Sequence, residues 1–166
     1  MALKALIFDV DGTLANTEQD GHLRAFNEAF EFYGLDCYWD SELYAELLSV
    51  SGGKERLAFF IKKYKPDLLK SSSSLEITDI HRKKTDIFIS KITDGLISLR
   101  IGVERLIYEA KDNNLRLGIA TTTSFENVRT ILESSLGKGV MDNFEIIGAG
   151  DVVKNKKPSP EIYNYV

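Results

Sequence analysis

The segment Leu6–Thr13 constrains the fold most, because it joins an apolar run to two carboxylates, a glycine and a hydroxyl. Such a run is typical of a strand buried in a parallel sheet, and Gly12 lets the chain turn sharply at its end. Asp9 and Asp11 therefore come at the edge where open α/β folds bind ligands. Paired carboxylates can bind a divalent cation, and one of them can be a nucleophile. Asp-Gly after an apolar stretch is also a common turn signal, so a simple turn stays open.

The composition excludes several classes of protein. The chain has 166 residues, of which 43% are hydrophobic and 28% are charged, which suits one globular domain with a modest insertion. A net charge of −4 gives no reason to expect a nucleic-acid partner. No apolar run approaches the ~20 residues of a membrane-spanning helix. The single Cys37 permits no intrachain disulfide. We expect an intracellular soluble protein, without a membrane partner.

Short apolar strands alternate with helical patterns at both ends of the chain. This order predicts an α/β fold with a Rossmann-like parallel-sheet core and right-handed crossovers. The predicted strands are 3–9, 115–121 and 144–148, and the predicted helices between them are 102–113 and 125–136. The apolar faces of these two helices consist of Val103, Leu106, Ile107 and Ala110, and of Phe125, Val128, Ile131 and Leu132.

The middle of the chain has only helical patterns. The predicted helices are 20–33, 41–48, 54–64 and 78–92, and the polar run 70–74 is predicted to be a solvated linker. We therefore predict a core formed by 1–17 and 98–166, with an inserted helical cap at 18–97. The insertion follows the first strand directly, so it is placed to cover the end of that strand.

Two further segments can contribute to a site beside Asp9. Thr121 ends the second strand and Thr122 follows it, where hydroxyls and free N–H groups of a helix start can bind phosphate. Ser124 explains the same pattern as an ordinary helix N-cap. Lys157 precedes Pro158 in a stiff loop that can hold the lysine in place, although a Lys-Lys pair is more often simply solvated.

The glycine loop, residues 52–56, is the fourth candidate. Gly52 and Gly53 open a helix and can expose backbone N–H groups to an anion, while Lys54 and Arg56 add positive charge and bidentate hydrogen bonds. A flexible turn with surface charges is the alternative interpretation.

Taken together, these motifs resemble the haloacid dehalogenase superfamily over the whole chain. The resemblance implies that Asp9 attacks a phosphoryl group to form an aspartyl-phosphate, and that Asp11 first protonates the leaving oxygen and then activates water. It implies that Thr121, Thr122 and Lys157 bind the phosphoryl oxygens. Mg²⁺ would be bound by Asp9, the backbone carbonyl of Asp11 and a further acidic motif. In this respect the motif resembles that of the phosphatases and phosphomutases, which have an acid at the position of Asp11, rather than that of the dehalogenases proper, which lack it.

Several stretches resemble the CbbY-type phosphatases of xylulose-1,5-bisphosphate, in a form typical of plants and algae. The resemblance implies that Glu18 and His22 contact the sugar and that the glycine loop binds the second phosphate. A histidine on an apolar helix face is also commonly a core or hinge residue, so that interpretation of His22 stays open. We expect a monomer, located in the chloroplast stroma in a plant or alga and otherwise cytoplasmic. The stretches are 17–22, 25–27, 52–56, 80–85, 149–153 and 156–162. We expect His81 and Lys84, on a helix outside the loop, to be surface or packing residues of the cap.

The sequence departs from this family at Val166, where a helical pattern stops before the acidic motif and the last strands of the core. We therefore expect a fragment of a longer polypeptide, and negligible activity from 166 residues alone. Two other functions stay open. A β-phosphoglucomutase-like phosphomutase would use the same core residues, and a non-catalytic binding protein could keep the fold without the metal.

Overall fold

A three-stranded parallel sheet forms the base of the molecule. The structure is a computed structural model that describes residues 3–69 and 75–166, so the linker predicted at 70–74 lies outside the described residues. The strands are β1 (Ala5–Phe8), β2 (Arg116–Ala120) and β3 (Ile146–Gly148), in the order β1-β2-β3. The predicted parallel α/β architecture is confirmed.

The register of the sheet brings the carboxyl ends of its strands level with one another. Phe8 lies opposite Ile119, and the next residue of β2, Ala120, lies opposite Gly148. The segments that leave the three strands therefore start at one edge of the sheet, as the parallel arrangement requires.

Seven α-helices accompany the sheet within the described part of the chain. They are α1 (Arg24–Phe32), α2 (Ser41–Leu47), α3 (Gly53–Tyr64), α4 (Ile77–Thr93), α5 (Val103–Asp112), α6 (Phe125–Leu136) and α7 (Glu161–Tyr165). A short 3₁₀ helix spans Val140–Asn143. None of the helices in residues 3–69 and 75–166 has both the length and the hydropathy needed to cross a membrane.

The helix predicted at 20–33 begins earlier, as a π-helical turn at Glu18–Leu23 that continues into α1. The His22 N–H donates to the Thr17 carbonyl at 2.7 Å, which is the wide hydrogen bond of a π turn. Gly21 lies inside this turn, where a Cβ would come within 2.6 Å of the Phe88 ring. The glycine therefore permits the close approach of α4.

Two hydrophobic clusters hold the elements together. The first packs the sheet against α5 and α6, and it also takes in Phe88 and Ile92 of α4. The second lies among the helices of the middle segment and is rich in aromatic rings, including Phe30 and Trp39. Because α4 contributes to both clusters, it ties the helical segment to the sheet. The core and cap boundaries, at residues 17/18 and 97/98, stay a prediction.

Two residues assigned to the apolar faces of helices are exposed, so those assignments are wrong. Phe125 is the first residue of α6 and precedes the turns that pack against the sheet. Leu106 of α5 points away because its neighbour Ile107 takes the buried position, and successive helical residues face different directions. The remaining predicted positions on both helices are buried or partly buried in the first cluster.

Truncating Phe30 should cost far more stability than truncating Phe32 on the same helix. Phe30 is fully buried, with its ring centroid 5.1 Å from that of Trp39, whereas Phe32 is 61% exposed. Phe30→Ala should lower the free energy of unfolding by about 3–5 kcal/mol, and Phe32→Ala by less than about 1 kcal/mol. Urea unfolding measures both values. Equal losses would contradict the proposed packing of the second cluster.

Candidate active site

A cavity of about 440 Å³ lies at the carboxyl edge of the sheet, between that edge and the helical segment. All the site residues predicted from the sequence line it except Thr121. Those lining it are Asp9, Asp11, Glu18, His22, Gly52, Gly53, Lys54, Arg56, Thr122 and Lys157. The level strand ends and the glycine loop thus bring residues that are distant in sequence to one cavity.

Asp9 follows β1 directly and is paired with a lysine. Lys157 Nζ lies 3.1 Å from Asp9 Oδ1, and the Val10 N–H donates to the same oxygen at 2.9 Å. The Asp9 side chain is 42% exposed, so it is accessible from the cavity, while that of Lys157 is 18% exposed. This arrangement leaves a carboxylate open to a ligand, with one positive charge beside it.

Asp11 is the end of a buried chain of polar side chains. His22 Nε2 lies 2.8 Å from Asp11 Oδ1, and Lys84 Nζ lies 2.7 Å from His22 Nδ1. The Thr17 hydroxyl donates to the same Asp11 oxygen at 2.6 Å. An ammonium can only donate, so Nδ1 of the imidazole is the acceptor and Nε2–H donates to Asp11.

The charge states of Lys84, His22 and Asp11 follow from their burial and from neighbouring groups. Burial lowers the pKa of Lys84 to about 8. Burial and the Lys84 charge lower the pKa of His22, so the imidazole is neutral at pH 7. Burial opposes the charge of Asp11, but the hydrogen bonds from His22 and Thr17 and the Lys84 charge hold the pKa of this carboxyl below its usual value. Asp11 is therefore an ionised acceptor in this state.

The start of α6 forms the wall beside Asp9. Thr121 is buried behind this wall, and its hydroxyl accepts the Thr123 N–H at 3.2 Å. Ser124 is the N-cap and accepts the Asn127 N–H at 3.3 Å, as the alternative interpretation of this segment predicts. Thr122, Thr123 and Ser124 line the cavity. A helix start that faces a cavity is an electrostatically suitable place for an anion.

The glycine loop is not a flexible turn with solvated charges. Gly52 has φ 92°, and a Cβ there would lie 2.9 Å from Lys156 Nζ. A Cβ on Gly53 would lie 2.6 Å from His81 Nε2. Gly52 needs glycine because of its positive φ, and any larger residue at position 53 would force the His81 ring to shift.

Arg56 is buried rather than free at the surface. Its Nη1 donates to the Tyr44 hydroxyl at 3.0 Å, and its Nε donates to the Leu47 carbonyl at 3.2 Å. The Tyr44 hydroxyl in turn donates to Glu18 Oε2 at 2.7 Å. Arg56 therefore fixes the orientation of Glu18 through Tyr44, a link that the sequence did not suggest.

Ion pairs join the glycine loop to the loop after β3. Lys54 pairs with Asp151, and Lys156 Nζ lies 2.8 Å from Glu55 Oε1 and 2.9 Å from Asp151 Oδ1. Sequence reasoning assigned no role to Lys156 or Asp151. The signal that could have indicated Lys156 was its position next to Lys157. In the cavity the Lys156 side chain contacts Asp151 and the Lys157 side chain contacts Asp9.

The residues described by the structure include no group of three or more His, Cys, Asp or Glu that could hold a metal ion. Asp9 and Asp11 are the acids nearest the end of β1. Mg²⁺ usually takes only one or two carboxylates from a protein and completes its shell with water and substrate phosphate. The half-exposed Asp9 carboxylate fits that kind of partial site.

Residues 6–166 match the family model of the haloacid dehalogenase-like hydrolases. The chain belongs to this family. CbbY from Cereibacter sphaeroides is 48% identical over 161 residues, which cover 97% of this chain and 68% of the relative. A CBBY-like protein from Arabidopsis thaliana is 39% identical over 164 residues, covering 96% of this chain and 51% of that protein.

A solved structure of a CbbY protein is also similar to this chain. A variant of CbbY from Rhodobacter sphaeroides in complex with xylulose-(1,5)bisphosphate is 47% identical and superposes with a TM-score of 0.91, covering 99% of this chain and 71% of the CbbY chain. The predicted CbbY-type resemblance and the predicted enzyme class, a phosphoric monoester hydrolase of this superfamily, are confirmed.

Removing the Lys84 charge should raise the pKa of His22. The ammonium disfavours the protonated imidazole, so Lys84→Met favours protonation even though burial still lowers the pKa. Lys83→Met is the matched control, because Lys83 lies over the Phe32 ring instead. NMR titration of the His22 imidazole measures the shift. An unchanged His22 pKa in Lys84→Met, or an equal rise in Lys83→Met, would contradict the hydrogen bonding of Lys84 to His22.

Proposed function

We propose that this chain belongs to a Mg²⁺-dependent phosphatase that hydrolyses a small sugar bisphosphate of the xylulose-1,5-bisphosphate type. The observation that carries the proposal is the presence of lysines at two places in one cavity. Lys157 lies beside Asp9, and Lys54 and Lys156 meet at the glycine loop. A substrate with two phosphates can present one anion to each place. The complex of the CbbY relative with xylulose-(1,5)bisphosphate supports the same substrate class.

Asp9 is the proposed nucleophile. Lys157 and the Val10 N–H both engage Oδ1, which leaves Oδ2 to attack phosphorus and form an aspartyl-phosphate. Lys157 then neutralises part of the charge that the phosphoryl oxygens bring beside the carboxylate. The N–H groups and hydroxyls at the start of α6, with Thr121 behind them and Thr122 in the wall, hold these oxygens in place.

Asp11 is the proposed acid and base. Its ionised carboxylate can accept a proton from the water that hydrolyses the aspartyl-phosphate. The opposite role, protonation of the leaving oxygen, requires a higher pKa, and the negative charge of a phosphoryl group beside Asp9 shifts it in that direction. His22 and Thr17 fix one oxygen, Oδ1, so the carboxylate keeps its orientation in both steps.

Mg²⁺ would be held by the Asp9 carboxylate and the backbone carbonyl of Asp11. When bound, the metal offsets the repulsion between the nucleophile and the phosphate. Glu18 and His22 also line the cavity. The Glu18 carboxylate can accept a hydrogen bond from a sugar hydroxyl, whereas both ring nitrogens of His22 are already engaged by Asp11 and Lys84.

Replacing Asp9 should abolish phosphate release by the full-length protein, and replacing Asp11 should strongly reduce it. Asp9→Asn should reduce release from xylulose-1,5-bisphosphate to background, because an amide is a poor nucleophile. Asp11→Asn should lower kcat by about 10²- to 10⁴-fold, the usual contribution of a general acid or base. Asp142→Asn, at an exposed position of the 3₁₀ helix, is the control and should retain normal activity. Phosphate is measured by a coupled assay with Mg²⁺ present.

The outcomes separate the candidate functions. Normal turnover by Asp9→Asn would refute the proposed nucleophile. An isomeric sugar phosphate formed without free phosphate would indicate a phosphomutase. Binding of the bisphosphate with no turnover under any metal condition would indicate a non-catalytic protein.

A further inference from the structure

Lys54 and Lys156 share one carboxylate. Lys54 pairs with Asp151 Oδ2, and Lys156 Nζ lies 2.9 Å from Asp151 Oδ1. The two lysines come from different parts of the chain, since Lys54 lies in the first turn of α3 and Lys156 lies in the loop after β3. Asp151 is thus the anion around which the two cationic groups converge.

Asp151 lies in the cavity but is not buried in it. Its side chain is 59% exposed, whereas that of Lys156 is only 13% exposed. The ammonium groups lower the pKa of Asp151 to about 2 through their hydrogen bonds, so the carboxylate stays charged at any physiological pH. Its two oxygens contact the two lysines much as two oxygens of a phosphate would.

We propose that Asp151 is a specificity-determining residue, which occupies the Lys54–Lys156 end of the cavity and is displaced by the second phosphate of the substrate. The inference rests on the proposed function, because it assigns the far end of the same cavity.

Displacement is favoured by charge and by solvation. A phosphate monoester brings up to two negative charges where the carboxylate brings one, so both lysines gain from the exchange. The released Asp151 side chain is already more than half exposed and returns to water at small cost. Gly150, whose φ of 63° lies in the left-handed region, precedes Asp151 in the turn.

Glu55 keeps the site assembled during this exchange. Its Oε1 lies 2.8 Å from Lys156 Nζ, and Glu55 is not among the residues lining the cavity. Lys156 therefore retains a partner after Asp151 leaves. A ligand whose far end is a neutral hydroxyl gains nothing here, because it cannot replace the carboxylate charge on the lysines. The carboxylate thus selects for a ligand with an anionic far end.

The test measures binding without turnover. In full-length protein carrying Asp9→Asn, isothermal titration calorimetry with xylulose-1,5-bisphosphate gives Kd for the parent and for Asp151→Asn. The proposal predicts a Kd about three- to tenfold lower in Asp151→Asn, the effect of relieving competition at two partly exposed ion pairs. Asp151→Glu, which keeps the charge, should return Kd towards the parent value.

Two controls make the test specific. Asp36→Asn removes the same charge and also breaks a lysine ion pair, with Lys65, outside the cavity, so it should leave Kd unchanged. The decrease in Kd caused by Asp151→Asn should largely disappear in a Lys54→Met background, since Asp151 then neutralises one lysine fewer.

Three results would overturn the inference. A higher Kd in Asp151→Asn would mean that Asp151 positions the lysines for the ligand. An unchanged Kd, or a gain that persists in full in Lys54→Met, would mean that Asp151 does not compete with the phosphate. These failures leave the proposed function intact if the protein without Asp9→Asn still releases phosphate. A parent that neither binds nor hydrolyses the bisphosphate would overturn the proposed function and the inference together.

Discussion

The level carboxyl ends of three parallel strands are the constraint on which the site depends. The register of the sheet places the segments after β1, β2 and β3 at one edge, so Asp9, the start of α6 and the loop that carries Asp151 begin side by side. No local motif could bring these groups together alone. A slip of one residue in any strand would turn its alternating side chains to the opposite face and separate the functional groups.

A second constraint comes from the polar chain that runs from Asp11 through His22 to Lys84. Burying an ammonium and a carboxylate is costly unless each is hydrogen-bonded to a partner. The neutral imidazole between them meets this need by accepting from one and donating to the other. Because Lys84 is on α4 and Asp11 follows β1, these hydrogen bonds also link the helical segment to the carboxyl edge of the sheet.

The sequence predicted the local parts of the site better than the long-range ones. The place of Asp9 and Asp11 at the cavity could be predicted because a strand, a turn and two carboxylates are adjacent in the chain. The sequence predicts that Lys84 is a surface or packing residue of the cap, because nothing near it in sequence shows that His22, on the π-helical turn, is its partner. The contact depends on how α4 packs against that turn. Gly21 permits this packing, but a glycine in the sequence does not by itself predict it.

The central claim is that the Asp9 carboxylate accepts the phosphoryl group. Rapid acid quenching of full-length protein mixed with Mg²⁺ and xylulose-1,5-bisphosphate, followed by peptide mass spectrometry, tests it most directly. The account predicts a transient mass increase of one phosphoryl group on the peptide that contains Asp9, which decays as free phosphate appears. Phosphate release with no modification of that peptide at any time, or with the modification on another residue, would contradict it.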